Sequence, residues 1–100
     1  MARVRFSPAA IADLGGIWDY TLERWGIGQA EFYVREINEC CGRLANRSLP
    51  GVDASDIRNG YSKQFVGRHV IYFRRTANNA IDVIRILHQS IDATTRLSGQ

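Results

Sequence analysis

Ala2, Val4 and Phe6 alternate with Arg3 and Arg5, a period of two that predicts a strand with one solvated face. Ser7-Pro8 then predicts a helix start. Serine caps free N–H groups, and proline fits the first helical position, where no donor is needed. From there Ile11, Leu14, Trp18, Thr21/Leu22 and Trp25 recur at three- and four-residue steps, which reads as one apolar stripe. Asp13, Asp19 and Glu23 fall outside the stripe and are expected on a wet face. Gly15-Gly16 stand in mid-helix, each about 1 kcal/mol less favourable than alanine, and suggest close packing or a slight bend. Gly26 ends the helix. A second helix is predicted from Gln29 to Asn46, with Ala30, Tyr33, Val34, Ile37, Cys40/Cys41 and Leu44 on its buried face. The turn between the two is so short that they must form an antiparallel hairpin.

Residues 47–60, rich in proline, glycine, aspartate and serine, predict a loop. "YSKQF" alternates weakly, Val66-Gly67 turns the chain, and "HVIYFRR" is strongly β-prone. Asn78-Asn79 suits a hairpin turn needing positive φ. "IDVIRILH" is apolar on both faces, Ile81, Val83 and Leu87 against Ile84 and Ile86, and should lie inside the sheet. The tail 89–100 suggests a short helical turn capped by Asp92 but is too polar to be core. The order β-α-α-β-β-β predicts an α+β fold, a helical hairpin packed on one face of a small antiparallel, or mixed, sheet.

At 100 residues the chain is a single domain, 1–100, of ordinary globular composition. No apolar run is long enough to span a membrane, and "MARVRFSP" lacks a secretory pattern, so a cytoplasmic protein is expected. Cys40 and Cys41 are adjacent, which disfavours a disulfide, and read as small buried residues. The net charge of +3 lies wholly in the second half: residues 51–100 hold seven basic and four acidic residues, residues 1–50 six of each. That bias suits an acidic partner, nucleic acid or protein, and is also common on surfaces that have none.

Phosphate-cradling glycine loops, nucleophile elbows and HExxH are all missing, and no metal or cofactor is expected. The remaining chemistry is a basic, histidine-bearing sheet: Tyr61, Lys63, Arg68, His69, Tyr72, Arg74, Arg85 and His88. Such parts make a metal-independent ribonuclease only with a base, an acid and arginines around one phosphate. Arg85 is the most informative of them. An arginine inside an apolar strand is rarely buried unless paired, and Asp82 and Asp92 are its expected intramolecular partners.

The segment "SPAAIADLGGIWDYTLERWGIGQAEFYVREI" resembles the opening helical hairpin of the ParE toxins, in the RelE/ParE superfamily of bacterial toxin–antitoxin systems. The residues that carry the likeness include Ser7, Pro8, Asp13, Trp18, Tyr20, Arg24, Trp25, Gln29 and Tyr33. "IRNGYSKQFVGRHVIYFRR" and "DVIRILHQSIDATTRL" are similar to the family's later segments, so the resemblance runs over nearly the whole chain. It implies a non-enzymatic toxin that inhibits DNA gyrase, blocks replication and is neutralised by the acidic C-terminal segment of a ParD-type antitoxin. The RelE-like branch, of ribosome-dependent mRNA endonucleases, is the alternative. Under the resemblance, Tyr33, Arg68, His69, Tyr72 and Arg74 are expected to meet the antitoxin. Arg85, His88, Gln89 and Arg96 are expected to meet the target, with no catalytic residue among them.

Overall fold

The computed structural model describes residues 2–97. Strand β1 (Arg3–Phe6) leads into helices α1 (Pro8–Trp25) and α2 (Ile27–Ala45). Strands β2 (Val52–Asp53), β3 (Ser62–Val66), β4 (His69–Ala77) and β5 (Ala80–His88) follow, and helix α3 (Ala93–Leu97) closes the described chain. The strands form one sheet in the order β1-β5-β4-β3-β2. β1 runs parallel to β5, whereas every other neighbouring pair is antiparallel, so the sheet is mixed. The α+β order holds, and the predicted loop supplies one further element, β2, a two-residue edge strand.

The helical hairpin turns on Gly26 alone. Its backbone has φ +91°, a conformation open to glycine, and it ends α1 while starting α2. The buried face of α1 is rotated from the predicted stripe. Ala10, Ile17 and Thr21 are buried with Leu14 packed beside them, whereas Ile11, Leu22 and Trp25 face outward. The predicted single stripe merges two adjacent ones, and only the one with Ala10, Leu14, Ile17 and Thr21 reaches the core. α2 follows its predicted face more closely, burying Ala30, Ile37, Cys40, Cys41 and Leu44. Both cysteines are free, and burial pushes the Cys41 thiol up to about 12, as expected for inert packing residues.

The main core lies between the hairpin and the sheet, where Ile37 and Leu44 meet Ile71, Phe73, Ile81 and Val83. A second, smaller core covers the opposite face. There Tyr61, Val70, Tyr72 and Leu87 are roofed by Ala54 and by Ala93 and Leu97 of α3. The tail is therefore core in part, contrary to its polar composition, because two apolar residues four apart share one face of a helical turn. Arg75 joins the halves by donating to the Leu44 and Pro50 carbonyls at the end of α2 and in the following loop (2.6 and 3.2 Å). Asn79 has φ +58°, as the hairpin turn between β4 and β5 requires.

Gly15 and Gly16 answer no packing demand, since a Cβ at either meets nothing within 4 Å. Gly15→Ala is therefore expected to raise stability by about 0.5–1 kcal/mol, read as a higher urea midpoint. An unchanged or lower midpoint would point to a use for the glycine that packing does not show.

Candidate functional site

The sheet's most polar end is built around an irregularity in β5. Phe73 pairs with Val83 and Tyr72 with Arg85, so Ile84 is an extra residue, a β-bulge. The bulge shifts the faces of the strand. Ile81, Val83 and Ile86 meet the helices, and Ile84 and Leu87 turn to the second core, in place of the strict alternation expected from the sequence. Its freed backbone groups are satisfied by α1. The Ser7 hydroxyl donates to the Ile84 carbonyl (2.7 Å) while accepting from the Ala10 N–H at the helix start (3.0 Å). Asp13 accepts the Ile86 N–H at 2.9 Å.

Asp13 also takes the Arg85 guanidinium in a bidentate grip, with Nε at 2.8 Å and Nη2 at 2.9 Å. The two side chains are only 13% and 16% exposed. These bonds hold the Arg85 pKa above its ordinary value, against the opposing effect of burial. This corrects two expectations: Asp13 is not on a solvated face, and the partner of Arg85 is neither Asp82 nor Asp92. Asp82 pairs instead with Arg74 (3.6 Å), and Asp92 hydrogen-bonds the Thr94 N–H at the start of α3. The sequence hid the pair because Asp13 lies off the apolar positions of its own helix and its partner stands 72 residues further along the chain.

Above this bolt, Tyr33 reaches from α2 to the turn between β3 and β4. Its hydroxyl accepts from the Arg68 N–H (3.2 Å) and lies 2.6 Å from His69 Nδ1 and 3.2 Å from the Val66 carbonyl. Gly67, at φ +55°, leaves the room: a Cβ there would stand 2.6 Å from the Tyr33 hydroxyl. Burial pushes the Tyr33 pKa up, so the hydroxyl stays protonated and has one proton to give. His69 packs edge-to-face on His88, with ring centres 5.5 Å apart, and His88 Nδ1 accepts the Ser90 N–H (3.1 Å). Both Nδ1 atoms are thus engaged within the chain, and Nε2 of each ring has no hydrogen-bond partner among the described residues.

The His69 pKa is lowered, chiefly by burial and then by His88, with Asp13 pulling the other way. A depressed value means that folding favours the neutral ring. Its contribution to stability is complete above the unfolded value near 6.5 and is lost as pH falls through 6.5 toward the folded value. The melting temperature should therefore fall on acidification in that window, and His69→Gln should flatten the drop. An equal drop in the variant would assign the acid sensitivity to other groups.

These elements line a groove of about 820 Å³. One wall is α1, with Tyr20, Arg24 and Trp25, and the opposite wall is His69, His88, Ile91 and Arg96. Tyr33, Arg68 and His69, assigned by the sequence to one partner, thus share one groove with Arg85, His88 and Arg96, assigned to another. Gln89 is exposed beyond its edge, with its N–H bonded to the Arg68 carbonyl (2.8 Å). Tyr72 and Arg74 stand apart. Tyr72 is 6% exposed in the second core, and Arg74 lies farther along β4 with Asp82. Sequence reasoning missed Tyr20, Arg24, Trp25 and Gln29. The signal was partial: Trp25 stands in the predicted apolar stripe of α1, where burial is expected, and it is 69% exposed.

The groove is strongly one-signed. Its only acidic lining residue, Asp13, is spent on Arg85, while Arg24, Arg68 and Arg96 have no ion-pair partner among the described residues. Among those residues no group of three His, Cys, Asp or Glu side chains is placed to hold a metal ion. Nor is any helix long and apolar enough to cross a membrane.

Known proteins share both the sequence and the fold. The family model of the ParE toxin of the type II toxin–antitoxin system parDE matches residues 4–93. Toxin ParE1 of Mycobacterium tuberculosis is 43% identical over 96 residues, covering 96% of this chain and 98% of its own. Toxin ParE1 of Caulobacter vibrioides is 36% identical over 97 residues, covering 97% and 99%. A solved structure of the chromosomal ParDE TA system from P. aeruginosa superposes with a TM-score of 0.73 at 22% identity, over 88% of this chain and 96% of the other, which supports the shared fold. With the expected helical hairpin, the matching sheet and a family match over nearly its whole length, the chain belongs to the ParE toxin family of type II toxin–antitoxin systems.

Proposed function

We propose that this toxin acts without catalysis, by inhibiting DNA gyrase in the cytoplasm and so blocking replication. A ParD-type antitoxin neutralises it by laying an acidic segment over the basic groove. The observation that carries the contact reading is the state of the polar groups. Arg85 is neutralised by Asp13, and each histidine has Nδ1 tied to its own chain, whereas Arg24, Arg68 and Arg96 have no ion-pair partner among the described residues and stand beside exposed aromatic surface. Free cations on a rim steer and fix an acidic partner. The P. aeruginosa structure, a ParDE system, supports an antitoxin as that partner.

Tyr33, Arg68 and His69 are the proposed antitoxin contacts within the groove, with Arg74 an outlying one and Tyr72 supporting β4 from beneath. His88, Gln89 and Arg96 are the proposed target contacts, and Arg85 holds their strand in place. The test is gyrase supercoiling with purified protein, with inhibition or accumulation of cleaved DNA as the expected result. Ribosome-bound mRNA cut at defined codon positions, with gyrase unaffected, would overturn the reading in favour of a RelE-like nuclease.

A further inference from the structure

The groove has a feature that an acidic peptide does not require. Tyr20 and Trp25 are 61% and 69% exposed, and both stand on the α1 wall facing the cationic side. Exposed apolar surface gathered at one cleft marks a place where a partner binds. The Arg24 guanidinium lies over one face of the Tyr20 ring at 5.3 Å, a cation–π contact that still leaves Tyr20 61% exposed. Opposite, Arg68 and Arg96 supply charge, and His69 and His88 keep Nε2 available because Nδ1 is occupied in each. Exposed aromatic rings and unpaired cations lining one groove are how proteins hold single strands: bases stack, and phosphates meet the charge.

We propose that this groove binds single-stranded nucleic acid, with bases on Tyr20 and Trp25 and phosphates on Arg24, Arg68 and Arg96. A duplex presents its bases only edge-on, so it gains the charge and loses the stacking. The proposal concerns binding alone and does not depend on gyrase. It places nucleic acid and an acidic antitoxin segment in the same groove, where each excludes the other.

The experiment is fluorescence anisotropy of a labelled short thymidine oligonucleotide titrated with purified full-length protein, at several salt concentrations. Saturable binding is expected, weakening linearly in log salt and tighter for the single strand than for the matching duplex. Arg68→Glu with Arg96→Glu should weaken binding at least tenfold and lower the salt slope by about 0.7 for each phosphate no longer neutralised. Tyr20→Ala with Trp25→Ala should weaken it about tenfold or more. Arg3→Glu, on exposed strand β1 and outside the groove lining, should change affinity no more than about twofold, and unchanged melting curves will show that these exposed substitutions leave the fold intact.

Three results would overturn the proposal: no saturable binding at low salt, an equal loss with Arg3→Glu, or full affinity without the two aromatic rings. The last would leave a simple polyanion seat suited to an acidic peptide. Gyrase inhibition by a protein that binds no oligonucleotide would remove this inference and leave the proposed function standing. Oligonucleotide binding without gyrase inhibition would do the reverse.

Discussion

Asp13→Ala is expected to cost about 3–5 kcal/mol of folding stability, the range for removing one partner of a desolvated ion pair. The acid alone satisfies three donors, two on Arg85 and the Ile86 N–H, at 2.8–2.9 Å. Without it a guanidinium is left 16% exposed against an apolar layer, and the bulge loses one of its two anchors to α1. A domain of this size has roughly 5–15 kcal/mol in total, so the variant should be visibly less stable in urea. Arg85→Ala should cost less, because the orphaned carboxylate keeps the Ile86 N–H. The double variant Asp13→Leu/Arg85→Leu should recover most of the loss, since well-packed apolar residues often replace such a pair without penalty. If all three unfold at the wild-type urea midpoint, the pair contributes nothing net and Arg85 is again a candidate for direct contact with the target. The expectation bears on function as well: loss of toxicity in Arg85→Ala reports on β5 unless the melting curve is unchanged, whereas His88 and Arg96 test contact directly.

The fold was legible where local chemistry decides it. Ser7-Pro8 begins a helix because a cap and a fixed φ are needed there, Gly26 ends one, and Asn79 takes the positive φ of its hairpin. The site was legible as a set of residue types and not as a geometry. Tyr33, Arg68, His69, Arg85, His88 and Arg96 all stand out in the sequence, yet nothing in the pattern says that they share one groove. Their convergence depends on a single inserted residue in β5, and Ile84 looks like any other strand residue. For the same reason Asp13 reads as a wet-face acid. It is offset from the apolar positions of its own helix, and only the tertiary position of Arg85 gives it a partner. The two apolar stripes of α1 make the complementary case. Periodicity merges them into one, and cannot tell the positions that meet the sheet from Ile11, Leu22 and Trp25, which stay exposed.

The C-terminal segment yields the other large effect. Leu97→Ala is expected to cost about 2–5 kcal/mol, although composition alone placed residues 89–100 outside the core. Five residues are too few to hold a helix by backbone bonds, so α3 exists because its apolar face is buried. Leu97 is 0% exposed and shares the second core with Tyr61, Val70, Tyr72 and Leu87. Arg58 of the preceding loop donates to its carbonyl at 3.2 Å, tying the loop and the helix to the same face of the sheet. Truncation to alanine removes the largest apolar side chain that α3 contributes to this cluster and leaves a cavity against Tyr61, Val70, Tyr72 and Leu87. The check is urea unfolding with amide hydrogen exchange. A lowered midpoint at unchanged m-value, with Val70 and Tyr72 exchanging faster, shows a core element that contributes to global stability. Faster exchange confined to residues 93–97, with an unchanged midpoint, would reduce α3 to a lid that opens by itself. Arg96 would then lie on a moving element, and its place on the groove wall would depend on a local equilibrium instead of the global fold.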